Sequence, residues 1–139
     1  GTGEVVAVER HEGRAAALER TAERMHARNV RVVCADAATF RDEARFDRVL
    51  LDPPCSGLGT LQAHPDLRWR VQPGDVATLA RQQDALIAAA RANLRPGGVF
   101  VYAVCTLSPE EERLQSADCW RTLPSRDDTD GFYSARDGG

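Results

Sequence analysis

The chain has no lysine: all 18 of its basic residues are arginine. Against 21 acidic residues this leaves a formal charge of −3. Such a balance offers no general attraction for nucleic acid, so a polynucleotide partner requires a local basic patch or another domain. Arginine suits phosphate and base-edge recognition, yet a lysine deficit this complete has the character of genome-wide codon bias and identifies no surface. The chain also lacks any Cys-x-x-Cys pair. Cys34, Cys55, Cys105 and Cys119 stand 21, 50 and 14 positions apart with no closely spaced histidines, so no metal site is expected. No signal peptide is visible and no apolar run approaches a membrane span, so the thiols are expected to be reduced, in a cytoplasm. There is no Gly-x-Gly-x-x-Gly, and the start at Gly1-Thr2-Gly3, opening directly into a strand, is expected to follow a segment that lies upstream. What remains is ordinary for one soluble globular domain spanning 1–139: 42% hydrophobic, 28% charged, and without an internal repeat.

Short apolar runs carry the organisation. Glu4 to Glu9 reads as a buried strand, and the recurrence of Ala15, Leu18, Ala22 and Met25 predicts a helix from Gly13 to Arg28 with Asn29 as its stop. Val30 to Cys34 is a second strand, with Cys34 in the core, and a polar linker over 42–47 leads into a third, Phe46 to Leu51. A long loop to about Gln72 follows, of the length that is usually functional or mobile. Asp75 is expected to cap a helix whose apolar face is Val76, Leu79, Ile87, Ala90 and Leu94, ended by Arg95-Pro96-Gly97-Gly98. Val99 to Val104 is the next strand. Ser108-Pro109-Glu110-Glu111 has the form of a capping box with proline at the first helical position, so a helix is expected there, continuing poorly to Cys119, with both glutamates turned to solvent. Phe132 to Ala135 is a possible last strand, antiparallel to the others. The order implies an α/β fold, a parallel sheet with helices packed on it.

The polar residues at the strand ends carry the chemistry. Glu9, Asp36, Asp52 and Cys105 each sit at or just past the carboxyl end of a different strand and are expected to converge on one edge, where open α/β sheets bind ligands. Glu9 suits the hydroxyls of a ribose and Asp36 an adenine amino group, although each alone is equally a solvated strand-end acid. Pro53-Pro54 stiffens the chain after Asp52. Asp-Pro taken alone is only a turn, and Cys55 or Cys105 taken alone is as often structural. Two thiols facing one crevice beside a fixed carboxylate are poorly explained by packing, and a helix start near Ser108 would favour a Cys105 thiolate. Cys119 is incidental on this reading.

Leu51-Asp52-Pro53-Pro54-Cys55-Ser56-Gly57, His64-Pro65-Asp66-Leu67-Arg68-Trp69, Leu79-Ala80-Arg81-Gln82-Gln83, and Tyr102-Ala103-Val104-Cys105-Thr106 with Glu110-Glu111 together resemble the signature blocks of the RsmB/NOL/Sun family of RNA cytosine-5 methyltransferases. The likeness runs from Gly3 to about Glu112 and returns at Thr129-Asp130-Gly131-Phe132. It implies a Rossmann-like, class I S-adenosylmethionine-dependent methyltransferase fold acting on RNA, ribosomal rather than transfer. It places Glu9 on the cofactor ribose, Asp36 near the adenine and Asp52 between the methionine end and the target base. It implies that Cys105 is the nucleophile and Cys55 the second, product-releasing cysteine. Arg68, Trp69 and Arg70 would supply cation and stacking face to RNA, with Trp69 equally a core anchor. By comparison with the family pattern, the glycine-rich cofactor loop and the first strand before it are expected upstream of Gly1. Gln62-Ala63 replace a basic pair, 112–120 is shortened, and the amino-terminal RNA-binding domain is not included.

Two other readings remain at this level. Asp52-Pro53-Pro54 also resembles the Asp-Pro-Pro-Tyr block of enzymes that methylate exocyclic amino groups, which calls for an aromatic residue at 55 and no thiol at 105. The chain is alternatively a catalytically silent, RNA-binding remnant.

Overall fold

The computed structural model describes residues 3–138; Gly1 and Thr2, the lead-in to the first strand, lie outside them. The chain divides into two compact units, Gly1–Arg41 and Asp42–Gly139.

In the first unit, β1 (Val5–Glu9) and β2 (Val30–Cys34) are parallel, in register from Val5↔Val30 to Glu9↔Cys34, and α1 (Glu12–Arg24) connects them. The β-branched runs favour strands, and a crossover helix is what a parallel pair requires. Glu12 in the first turn of α1 and Arg24 in the last both oppose the helix dipole favourably. The helix stops four residues short of the expected Arg28, because His26 takes a left-handed φ of 54°. Asn29 serves a different purpose: its side-chain amide donates to the Gly3 carbonyl at 2.9 Å and ties the turn to β1. Cys34 is exposed, which corrects its assignment to the core; its thiol faces the Arg10 carbonyl at 3.7 Å.

The second unit holds β3 (Phe46–Leu51), a 3-10 turn (Leu58–Thr60), α2 (Leu67–Arg70), α3 (Pro73–Ala92), β4 (Leu94–Val104), a second 3-10 turn (Pro109–Glu111), β5 (Asp118–Thr122), α4 (Pro124–Asp127) and β6 (Phe132–Asp137). Its sheet has the order β3-β4-β6-β5, with β3 and β4 parallel and β6 antiparallel to both neighbours, as expected for the last strand. The strands therefore fall into two sheets among the described residues, where a single sheet was expected.

Three boundaries differ from the sequence reading. Asp75 is not the cap of α3 but its third residue: the Gln72 N–H donates to Asp75 Oδ2 at 2.9 Å, and Pro73 opens the helix with no N–H to satisfy. The Arg95-Pro96-Gly97-Gly98 run does not end α3. It belongs to β4, where it forms an irregularity: Phe46 pairs with Leu94 and Arg48 with Val99, so β4 carries three extra residues. The expected helix at Ser108 is only the three-residue turn, because its candidate capping acid, Glu111, is drawn inward, and 112–119 leads instead into β5.

The core lies between α3 and the sheet. Phe100, Tyr102 and Val104 alternate along β4 onto one face and are essentially inaccessible to water, joined by Leu51, Ala90, Leu114, Tyr133 and Ala135. Each large side chain buried this way contributes about 1.5–3 kcal/mol. The Tyr133 hydroxyl donates to the Leu114 carbonyl at 2.7 Å, so its polar end is satisfied where it is buried.

Candidate active site

Because β3 and β4 run parallel with Leu51 opposite Tyr102, Asp52 and Cys105 leave the sheet at the same edge. The chain after each strand turns so that the two thiols meet: Cys55 Sγ and Cys105 Sγ are 3.5 Å apart, both partly buried. Hydrogen bonding makes them unequal. Cys105 is lowered to about 7, first because of its hydrogen bond with Cys55, against the opposing effects of burial and of the charges on Asp52 and Glu111. Cys55 is pushed far up, by holding that hydrogen bond to Cys105 and by burial. Asp52 is exposed as a residue, yet its carboxyl is partly desolvated, and the lost hydration raises its pKa.

Beside the sulfurs lies a carboxylate that the sequence reading placed in solvent. Glu111 is fully buried. Its Oε1 accepts from the Ser56 N–H at 2.8 Å and from the Gln83 amide at 3.1 Å. Its Oε2 lies 2.5 Å from the Ser56 hydroxyl and 2.7 Å from the Thr106 hydroxyl. Ser56 follows Cys55 and Thr106 follows Cys105, so one carboxylate grips the neighbour of each thiol. Gln83, also fully buried on α3, donates to the Pro54 carbonyl at 2.9 Å and faces the Tyr102 hydroxyl at 3.0 Å. Tyr102 in turn reaches the Glu111 carbonyl at 2.7 Å. Outside this group, Arg113 forks onto both oxygens of Asp84 at 2.8 Å, fastening the turn to α3. No buried side-chain polar atom among the described residues lacks a partner.

A glycine contact completes the edge. The Gly59 N–H donates to the Cys105 carbonyl at 3.1 Å, and the Gly131 N–H donates to the Gly59 carbonyl at 2.8 Å. A Cβ on Gly59 would stand 1.9 Å from the Gly131 oxygen, so no other residue fits there.

Glu9 and Asp36 lie at the carboxyl end of the β1/β2 pair, within the first unit. Glu9 Oε1 accepts from the His11 N–H at 2.8 Å and from Arg14 at 2.9 Å, and these bonds hold its carboxyl below the usual range. Asp36 Oδ1 accepts from the Ala38 N–H at 2.9 Å in an Asx turn. Trp69 is 71% exposed, which removes the core-anchor reading, and Arg68 lies over its ring at 5.6 Å. Arg70 is paired with Asp66 at 2.7 Å. Cys119 is an exposed residue on β5, away from the thiol pair in the chain's pairing scheme. Among the described residues no three His, Cys, Asp or Glu side chains gather as a metal site, and no helix is long and apolar enough to cross a membrane.

The fold is the Rossmann-like α/β fold of class I methyltransferases. The chain matches the solved structure of NSun6 from Pyrococcus horikoshii, determined with SFG, at a TM-score of 0.84 and 31% identity over 96% of this chain and 41% of that one. The chain belongs to the family described as 16S rRNA methyltransferase RsmB/F, whose model matches residues 1–122. It is 35% identical to ribosomal RNA small subunit methyltransferase B of Vibrio cholerae over 95% of this chain and 35% of that protein. It is 52% identical to a putative methyltransferase of Mycobacterium tuberculosis over 57% of this chain and 17% of that one. The chain thus spans about a third or less of the curated relatives it matches.

Proposed function

We propose that the chain carries the catalytic thiols of an S-adenosylmethionine-dependent RNA cytosine-C5 methyltransferase, acting on ribosomal RNA in the cytoplasm, and that 1–139 is part of its catalytic domain. The observation that supports this best is the unequal thiol pair at 3.5 Å beside Asp52. Carbon 5 of cytosine is too weak a nucleophile to accept a methyl group until something adds to carbon 6. The Cys105 thiolate adds there, and the electron pair passes to the ring, where Asp52, at the same edge, is placed to hydrogen-bond the base. Bound S-adenosylmethionine supplies a methyl group on a sulfonium. After carbon 5 is methylated, its proton passes to a water held by Cys55, the electron pair of that C–H bond re-forms the ring double bond, the bond from Cys105 Sγ to carbon 6 breaks, and Cys105 leaves as thiolate beside the protonated Cys55. The cytosine is reached unstacked, with Trp69 and Arg68 exposed on α2 as a stacking surface and Arg70 beside them.

The acids of the first unit fit the cofactor. Glu9 is held ionised by Arg14 and His11 with its Oε2 left to accept a ribose hydroxyl, and Asp36 keeps Oδ2 for an adenine amino group.

The test compares Cys105→Ala with Cys55→Ala, at mildly alkaline pH, in the chain and in a fusion that supplies a relative's glycine-rich segment before Gly1. Cys105→Ala abolishes transfer and forms no covalent complex. Cys55→Ala still attacks and methylates, then stalls, leaving RNA on Cys105 as a denaturant-resistant, slow-migrating band. Trapping in Cys105→Ala alone reverses the two roles; trapping in neither, with S-adenosylmethionine bound, favours amino-group methylation, and failure to bind it favours the remnant.

A further inference from the structure

We infer that Glu111 is the positioning residue of the thiol pair: its single buried carboxylate holds the residue after Cys55 and the residue after Cys105, and so sets the distance between the two sulfurs. The inference rests on the reading of Cys55 and Cys105 as the working pair.

A carboxylate taken wholly out of water is costly unless its oxygens are hydrogen-bonded, so a fold keeps one where its geometry is used. Glu111 has partners on three separate elements. Ser56, on the loop after β3, reaches it through both backbone N–H and hydroxyl; Thr106, on the loop after β4, through its hydroxyl; Gln83, on α3, through its amide. The Ser56 and Thr106 hydroxyls are themselves 3.0 Å apart. The β3–β4 ladder ends at Leu51 and Tyr102, and beyond it these bonds, together with the Gly59 N–H donating to the Cys105 carbonyl, join the two loops. Gln83 extends the hold to Pro54, one residue before Cys55. With both neighbours of the thiols gripped by one group, the sulfurs are left facing each other.

The sign of one measurable quantity separates positioning from a mere charge effect. The groups that face Cys105 are Cys55, Asp52 and Glu111, with the Tyr102 phenol beside Cys55. The Glu111 charge by itself disfavours a Cys105 thiolate, whereas the Cys55 hydrogen bond, which depends on the sulfur geometry, favours it most. If Glu111 acts as a charge, its removal makes Cys105 more acidic; if it positions, removal makes Cys105 less acidic.

The experiment is the pH profile of Cys105 alkylation by iodoacetamide, read by mass spectrometry on the full chain, with thermal unfolding confirming that each variant is folded. In the unaltered chain half-maximal labelling falls near pH 7. Glu111→Ala raises that midpoint by about one unit, roughly a fivefold slower reaction at pH 7. Glu111→Gln keeps the shape of the clamp, with an oxygen for Ser56 N–H and an amide for the two hydroxyls, and its midpoint does not rise. Should Glu111→Ala fail to fold, Ser56→Ala combined with Thr106→Val removes both hydroxyl contacts and carries the same expectation. An unchanged or lowered midpoint in a folded Glu111→Ala or double variant overturns the inference, and so does an equal rise in Glu111→Gln. An unaltered chain whose Cys105 titrates like a free cysteine, near pH 8.5, overturns the thiol-pair reading instead.

Discussion

Cys105 owes its acidity to a neighbour rather than to a helix. The turn after it is only three residues long, so no helix dipole of consequence acts there, and the first cause of the lowered value is the S–H of Cys55. Two expectations follow from the sign of that effect. On the proposed mechanism Cys105 is a thiol and inert toward carbon 6 below about pH 7; as pH rises through that value the thiolate forms, so the pre-steady-state rate of methyl transfer is expected to climb and then level. Cys55→Ala removes the donor and moves the climb upward toward the range of an ordinary cysteine, a shift that rapid-quench rates across a pH series will measure. The strand-end positions of Glu9, Asp36 and Asp52 and the closeness of the two thiols were legible, because a residue at the end of an apolar run declares its own position. Glu111 was not legible that way: a glutamate after Ser-Pro satisfies the pattern of a helix cap, and nothing local reveals that its partners are 55 and 28 positions away. Gln83 left a clue, being polar yet four residues from both Leu79 and Ile87 on the apolar stripe of α3, and Ser56 and Thr106 left another by each following a cysteine.

The loops at the carboxyl edge are joined to one another more tightly than to solvent. Gly59 is the narrowest point, touching Cys105 and Gly131 through its backbone alone. Gly59→Ala forces the loops apart and is expected to cost about 1–3 kcal/mol or more, read as a lower urea midpoint, while Gly74→Ala, at a site with open space for a Cβ, leaves that midpoint nearly unchanged. Strands and helices were legible where hydrophobic period and β-branching agreed, as in Val99 to Val104. They were illegible where a local signal was overridden: Pro96-Gly97-Gly98 reads as punctuation but is the bulged start of β4, accommodated because β4 has room for three extra residues opposite β3. The end of α1 failed for the opposite reason, since its apolar repeat outlasts the turn that His26 begins.

The two units differ in how much they bury. Between residues 3 and 41 only Ala15 is fully buried, and the sheet there has two strands; the second unit holds the entire contiguous core. Two-stranded sheets with so little apolar support open readily. Native-state hydrogen exchange on the chain should therefore find the amides of β1 and β2 exchanging about tenfold or more faster than those of Phe100 to Val104. Equal protection in both units would show that Gly1–Arg41 opens only with the whole molecule. On the proposed placement of the cofactor at Glu9 and Asp36, its binding is expected to slow exchange in this unit first.

The contact of Gly131 with Gly59 also bears on the order of synthesis. Cys55, Cys105, Glu111 and Gln83 have been translated before β6 exists, yet the loop that holds the Cys105 carbonyl is closed by the residue immediately before β6. On a ribosome moving at 5–20 residues per second, the stretch from Glu111 to Gly131 takes roughly 1–4 s to emerge. During that interval the thiols are present without the last strap on their loops, and the nascent chain meets cellular oxidants in its least protected form.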